Sequence, residues 1–144
     1  MKNCWFILVL TALFSLPVSA EQYQRIKDVE VHYSAFNSTF LTPKVARSYK
    51  LKRNGYSAVL NISVLDTYQP GKAATSAVIQ GSVKNLLGQT RKLTFRQVME
   101  GSAIYYITEF PISDEEQLTF TIDVDAGLKG KGKINFTQKF YVEE

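Results

Sequence analysis

Leu118-Thr119-Phe120-Thr121-Ile122-Asp123-Val124 decides the fold: four apolar side chains, each separated from the next by a single polar one. A β-strand turns successive side chains to opposite faces, so this period of two predicts a sheet with one buried face and one wet face. The pattern recurs on both sides of that stretch. Upstream, Val29, Val31, Tyr33 and Ala35 alternate with Asp28, Glu30, His32 and Ser34, and Ala77, Ile79, Gly81 and Val83 form a second row. Further strands are expected near residues 90–98 and 103–110. Downstream, Ile134, Phe136, Phe140 and Val142 make the last apolar row. Turn signals separate these runs at Pro70-Gly71, Asn85-Leu86-Leu87-Gly88-Gln89 and Glu100-Gly101, and the acidic residues 111–116 read as a crossover between sheets. Asn54-Gly55 predicts a tight hairpin pairing Leu51 with Ala58 and Tyr49 with Leu60, because both turn residues tolerate positive φ. About seven short strands with little helix make an all-β, immunoglobulin-like antiparallel β-sandwich the expected architecture. The cysteine and tryptophan hallmarks of antibody domains are absent.

One segment breaks the period of two. Residues 33–47, Tyr-Ser-Ala-Phe-Asn-Ser-Thr-Phe-Leu-Thr-Pro-Lys-Val-Ala-Arg, leave the first expected strand through an aromatic and hydroxyl-rich bend. Thr42 is a good N-cap and Pro43 suits the first helical position, where its missing N–H is not needed. One short helix over residues 43–48 is therefore predicted after the first strand.

The address is written at the start. Lys2, an apolar run from Trp5 to Leu16, and Val18-Ser19-Ala20 have the composition of a cleaved export signal, so residues 1–20 are expected to be removed, leaving a single domain over 21–144. The apolar run falls short of the roughly 20 residues a membrane-spanning helix needs. Cys4, the one cysteine, lies in the leader, so the exported chain is expected to carry neither disulfide nor lipid anchor. Losing Lys2 takes the formal charge from +4 to +3, too mild for a nucleic-acid footprint. These features predict a soluble periplasmic protein with no transmembrane segment.

Composition restricts the chemistry. His32 is the single histidine, flanked by Asp28 and Glu30 on its own strand face. Zinc and copper sites need three or four such ligands, so no metal and no cofactor are expected. His32 beside Ser34 or Ser38 would be the basis of a cofactor-free hydrolase, but no nucleophile motif accompanies them. Gly127-Leu-Lys-Gly-Lys-Gly-Lys133 has part of the spacing of a phosphate loop, yet Ile134 stands where the hydroxyl should be and a strand follows in place of a helix. A basic hairpin turn is the simpler reading. Lys131, Lys133 and Lys139 then share a face of an edge strand, where they discourage sheet-to-sheet pairing.

The bend is the better candidate for interaction. Tyr33, Phe36 and Phe40 interleave with Asn37 and Ser38, and Leu86 and Leu87 occupy a nearby turn; together these form the candidate binding surface. The competing reading is structural: aromatics plug one end of the sandwich while hydroxyls satisfy irregular backbone.

His32 to Arg47, Asn61-Ile-Ser-Val64, residues 85–89 and Glu100-Gly-Ser-Ala-Ile-Tyr-Tyr-Ile107 resemble, in order and over nearly the whole exported chain, the signature blocks of a domain-of-unknown-function family of small periplasmic proteins of Gram-negative bacteria. The resemblance implies an exported single-domain protein and supplies no activity. The expectation is a non-catalytic binding or interaction module of the cell envelope, its partner an envelope protein or small ligand. The alternatives are the His32 hydrolase and an assembly factor that pairs through a sheet edge.

Overall fold

The computed structural model describes residues 22–143. The expected leader and Cys4 lie outside them. Nine strands form two antiparallel sheets: β1 (Gln22–Ile26), β2 (Val29–Asn37), β3 (Ser57–Asp66), β4 (Val78–Asn85), β5 (Thr90–Leu93), β6 (Arg96–Glu100), β7 (Ala103–Pro111), β8 (Glu116–Asp125) and β9 (Lys131–Phe140). One sheet has the order β1-β2-β3-β7-β6 and the other β5-β4-β8-β9. The expected sandwich is present, with nine strands rather than seven.

Alternation builds the core between the sheets. Leu118, Phe120, Ile122 and Val124 of β8 are buried, as are Val29 and Val31 of β2 and Leu60, Ile62 and Val64 of β3. Phe110, Phe120 and Phe140 meet edge to face at centroid distances of 5.4 to 6.1 Å. That geometry sets the positive ring edge against the negative face.

The helix forms as its cap dictates. Helix α1 (Pro43–Ser48) starts at Thr42, whose hydroxyl accepts the N–H of Val45 at 3.2 Å, with Pro43 in the first turn. It follows the second strand rather than the first, because β1 precedes β2. Strand β1 is exposed along almost its whole length, so it lacks the alternation that reveals a strand in sequence. A single turn (Ser38–Phe40) of 3-10 helix fills the bend before α1.

Two further expectations give way. The Asn54-Gly55 hairpin does not form: residues 51–56 are not strand, and β3 pairs with β2 and β7. Leu51 instead joins Ala46, Val59 and Ile107 in a second apolar cluster on the outer face of the five-stranded sheet, with Phe36, Leu41, Tyr49, Val98 and Tyr105 around it. Helix α1 covers this cluster, which draws Leu51 away from Ala58. The single strand expected over 90–98 divides into β5 and β6, which belong to different sheets. The crossover at 111–116 joins β7 of one sheet to β8 of the other, as read from its composition.

Candidate functional site

Register defines the two ends of the sandwich. Asn37 pairs with Ala58, Ser57 with Pro111, Asn85 with Leu118 and Glu116 with Phe140, so the bend, the β4–β5 turn and the crossover share one end. Gln138 Nε2 donates to the carbonyl of Ala35 at 2.8 Å and joins the two sheets there.

Sheet alternation separates the aromatics of the bend. Tyr33 faces between the sheets and stacks on Phe136 at 4.6 Å, while Phe36, three residues on, lies against the helix-covered cluster and meets Phe40 at 5.5 Å. Phe40 is 72% exposed. The polar residues between them are engaged within the chain. Ser38 is fully buried; its hydroxyl donates to the Asn54 carbonyl at 2.9 Å, accepts the Asn54 N–H at 3.0 Å and lies 2.9 Å from the Ser57 hydroxyl. Asn37 Nδ2 donates to the Tyr141 carbonyl at 2.6 Å. The Thr39 hydroxyl donates to the Glu143 carboxylate at 2.6 Å.

Residues 141–143, which follow β9, thus lie in a cleft beside the bend. Two further hydrogen bonds hold them: Glu143 N–H to the Gly55 carbonyl at 3.1 Å, and Val142 N–H to Asp114 Oδ1 at 3.0 Å. Gly55 is required for this approach, since a Cβ there would overlap the Glu143 carbonyl group. Arg53 completes the wall by donating to the Thr39 carbonyl at 3.2 Å. Tyr56, Ile112, Ser113, Asp114 and Val142 line an adjoining open groove of about 620 Å³, and a smaller one of about 240 Å³ runs from Pro111 and Glu116 to Asn85 and Arg91.

This end also carries a concentration of exposed apolar side chains: Phe40, Tyr56, Leu86, Leu87 and Tyr141, from 53% to 84% exposed. Leu86 and Leu87 stand on a turn fixed by Asn85, whose side-chain oxygen accepts the N–H groups of Leu87 and Gln89 at 3.0 Å. They belong to neither apolar cluster. Tyr56 and Tyr141 were not singled out in the sequence. Only their positions at the end of a strand, beyond the reach of the facing sheet, distinguish them from core aromatics.

His32 lies elsewhere on the outer face of the five-stranded sheet. Its Nε2 is 3.1 Å from Glu30 Oε1, and its ring stacks on Tyr23 at 5.2 Å. Lys72 Nζ holds the other oxygen of Glu30 at 2.8 Å. Hydrogen bonds from Lys72 and then His32 keep the Glu30 carboxyl below its ordinary range. On the same face Tyr49 bonds to Glu100, and that carboxylate, aided by burial, pushes the phenol up to about 12. Among the described residues no three His, Cys, Asp or Glu side chains form a group that could hold a metal ion, and no helix is long and apolar enough to cross a membrane.

The fold is thus that of a two-sheet antiparallel β-sandwich with no metal-ligating cluster among the described residues. Within that class the chain belongs to the family described as Domain of unknown function (DUF4426), whose profile matches residues 23–143. A solved structure of a DUF4426 family protein from Pseudomonas aeruginosa is 38% identical, with a TM-score of 0.75 over 89% of this chain and 100% of that one. More distant are two structures of FetP from uropathogenic Escherichia coli. A copper-bound variant is 12% identical, with a TM-score of 0.58 over 87% of this chain and 92% of that one. The form as isolated after expression in the periplasm is 11% identical, with a TM-score of 0.56 over 87% and 96%. These two share the fold. No curated protein matches the chain.

Proposed function

We propose that this protein is a non-catalytic binding module of the periplasm that meets an envelope protein with the bend end of its sandwich. The observation that carries the reading is that Phe40, Tyr56, Leu86, Leu87 and Tyr141 are all exposed at that end, where Tyr56 forms part of the wall of the larger of two grooves. Large apolar side chains left exposed at one end of a domain are candidates for a contact surface. Aromatic side chains suit such a surface because they bury much area with few rotatable bonds. The leader and the fold shared with a periplasmically expressed protein support the location. His32, the one histidine, is engaged by Glu30, and no three His, Cys, Asp or Glu side chains gather among the described residues.

The test is a pull-down from envelope extract with the exported chain and with a Phe40→Ser, Tyr141→Ser variant of matched melting temperature. A partner held by the first and lost by the second is the expected result. Equal recovery of the same partner by both places the contact elsewhere.

A further inference from the structure

The cleft beside the bend already holds an extended peptide, the chain's own residues 141–143. We propose that it is a peptide-accepting cleft occupied from within, and that its external ligand is an extended acidic segment of a partner protein, which displaces residues 141–143. This rests on the binding reading above and names the class of partner.

The cleft shows the chemistry it selects. Asn37 Nδ2 takes a peptide carbonyl, that of Tyr141. Asp114 takes the next N–H, of Val142, and the Gly55 carbonyl takes the N–H after that, of Glu143. Three successive residues therefore give main-chain groups to three separate walls, which reads backbone irrespective of sequence, as strand-like peptide recognition does. The side-chain preference comes from Thr39, whose hydroxyl donates to the Glu143 carboxylate, while Arg53 holds Thr39 in place by donating to the Thr39 carbonyl. An acidic side chain gains a charge-assisted hydrogen bond there. Next to the seated segment, Lys139 lies 5.6 Å from the centre of the Tyr141 ring.

Displacement is physically accessible. Residues 141–143 follow the last strand and belong to no sheet; Tyr141 and Glu143 are exposed and only Val142 is partly covered. Four hydrogen bonds to solvent-accessible atoms, each contributing roughly 0.5–1.5 kcal/mol net, and the packing of half-buried Val142 against the core hold them. Such segments open well below the free energy of global unfolding.

The experiment uses the full exported chain with Val142→Pro and Glu143→Pro, which removes both N–H donors and frees the cleft without altering its walls. The probe is the acetylated, amidated peptide Lys-Phe-Tyr-Val-Glu-Glu. The proposal expects the peptide to bind the double-proline chain at least tenfold more tightly than the unsubstituted one, with amide shifts at Thr39, Gly55 and Asp114. Adding Gly55→Ala, which fills the cleft, should abolish that binding. A folded double-proline chain that binds no peptide overturns the proposal. If that chain does not fold, amide exchange at Val142 and Glu143 of the unsubstituted protein decides: exchange only through global unfolding overturns it, exchange through a local opening upholds it. An envelope partner lost on Phe40→Ser but indifferent to competing peptide would leave the binding reading intact and end this one.

Discussion

The two ends of the sandwich are closed by different means. At the bend end the closure is made by hydroxyl, amide and main-chain groups around residues 141–143, and aromatic side chains remain outside. At the opposite end, Asp66 is 4% exposed, accepts the Tyr68 N–H at 3.0 Å and pairs with Lys129 at 3.2 Å. Lys129 belongs to the turn before β9, so this ion pair ties the four-stranded sheet to β3 of the other. Lys129 also bonds to Thr75, its carbonyl takes the Asp28 N–H, and Thr67 bonds to Asp28 through both backbone and hydroxyl. One end is thus a charged staple built from the sheet-joining turns. The other is a looser closure whose last component is not part of any sheet. The proposed binding surface and the charged lock lie at opposite ends of one core.

The largest effect expected tests whether the exposed surface and the core beneath it are separable. Phe140 is 2% exposed and packs edge to face on Phe110 and Phe120, so Phe140→Ala should cost about 3–5 kcal/mol in chemical denaturation. Phe40, at the same end but outside, should change stability by no more than about 0.5 kcal/mol when replaced by Ser. A large loss from Phe40→Ser would make the bend a plug and erase the contrast between the ends.

Two glycines sharpen the comparison at smaller magnitude. A Cβ at Gly130 would lie 2.5 Å from the Ile26 carbonyl, where β1 passes the staple end, and the residue has a φ of 158°. Backbone on both sides leaves no flexible group to move, so Gly130→Ala should destabilise the whole fold by about 1–3 kcal/mol. At Gly55 the obstructing group is the Glu143 carbonyl, part of the seated segment. Gly55→Ala should expel that segment and cost about 2 kcal/mol, the lower end of what four solvent-accessible hydrogen bonds contribute. Amide exchange separates the cases: uniform acceleration for Gly130→Ala, acceleration confined to residues around 39, 55 and 142 for Gly55→Ala. Uniform acceleration in both would show the bend end to be as structural as the staple.

How far the sequence carried the reading follows from where each signal originates. Leu118 to Val124 and the row of β2 were legible because burial of one face imposes a period of two on neighbouring residues. Helix α1 was legible because Thr42 and Pro43 act within a single turn. Strand β1 was not, since an edge strand exposed on both sides imposes no period. Asn54-Gly55 misled because the demand on Gly55 comes from Glu143, far along the chain, rather than from a turn. Of the candidate site residues, Phe36, Asn37, Ser38, Phe40, Leu86 and Leu87 lie at one end of the sandwich, whereas Tyr33 faces the space between the sheets. Strand parity alone separates Tyr33 from Phe36, once β2 is known to run unbroken to Asn37. The segment 141–143 left no local signature, because its partners Asn37, Thr39, Gly55 and Asp114 are gathered only by the fold.

The smallest of the expected effects concerns acid, and its sign follows from the staple. The Asp66 carboxyl is held below its ordinary range, first by the Tyr68 N–H and then by Lys129, and Glu30 is lowered by Lys72 and His32. In the unfolded chain such groups titrate near about 3.9 to 4.3. A carboxyl whose folded value is depressed binds fewer protons when folded, so its contribution to stability is fully present above the unfolded range and is lost as pH falls through the folded value. Stability should therefore fall as pH drops below the unfolded carboxylate range, with the amides of Asp28 and Thr67 losing protection as the staple is protonated. Asp66→Asn keeps an acceptor for the Tyr68 N–H but removes the charge that faces Lys129. The variant should be less stable than the parent at pH 7 and show a shallower decline on acidification. Parallel declines in the two proteins would mean that the staple owes its strength to geometry rather than charge, and the two ends would then differ in packing alone.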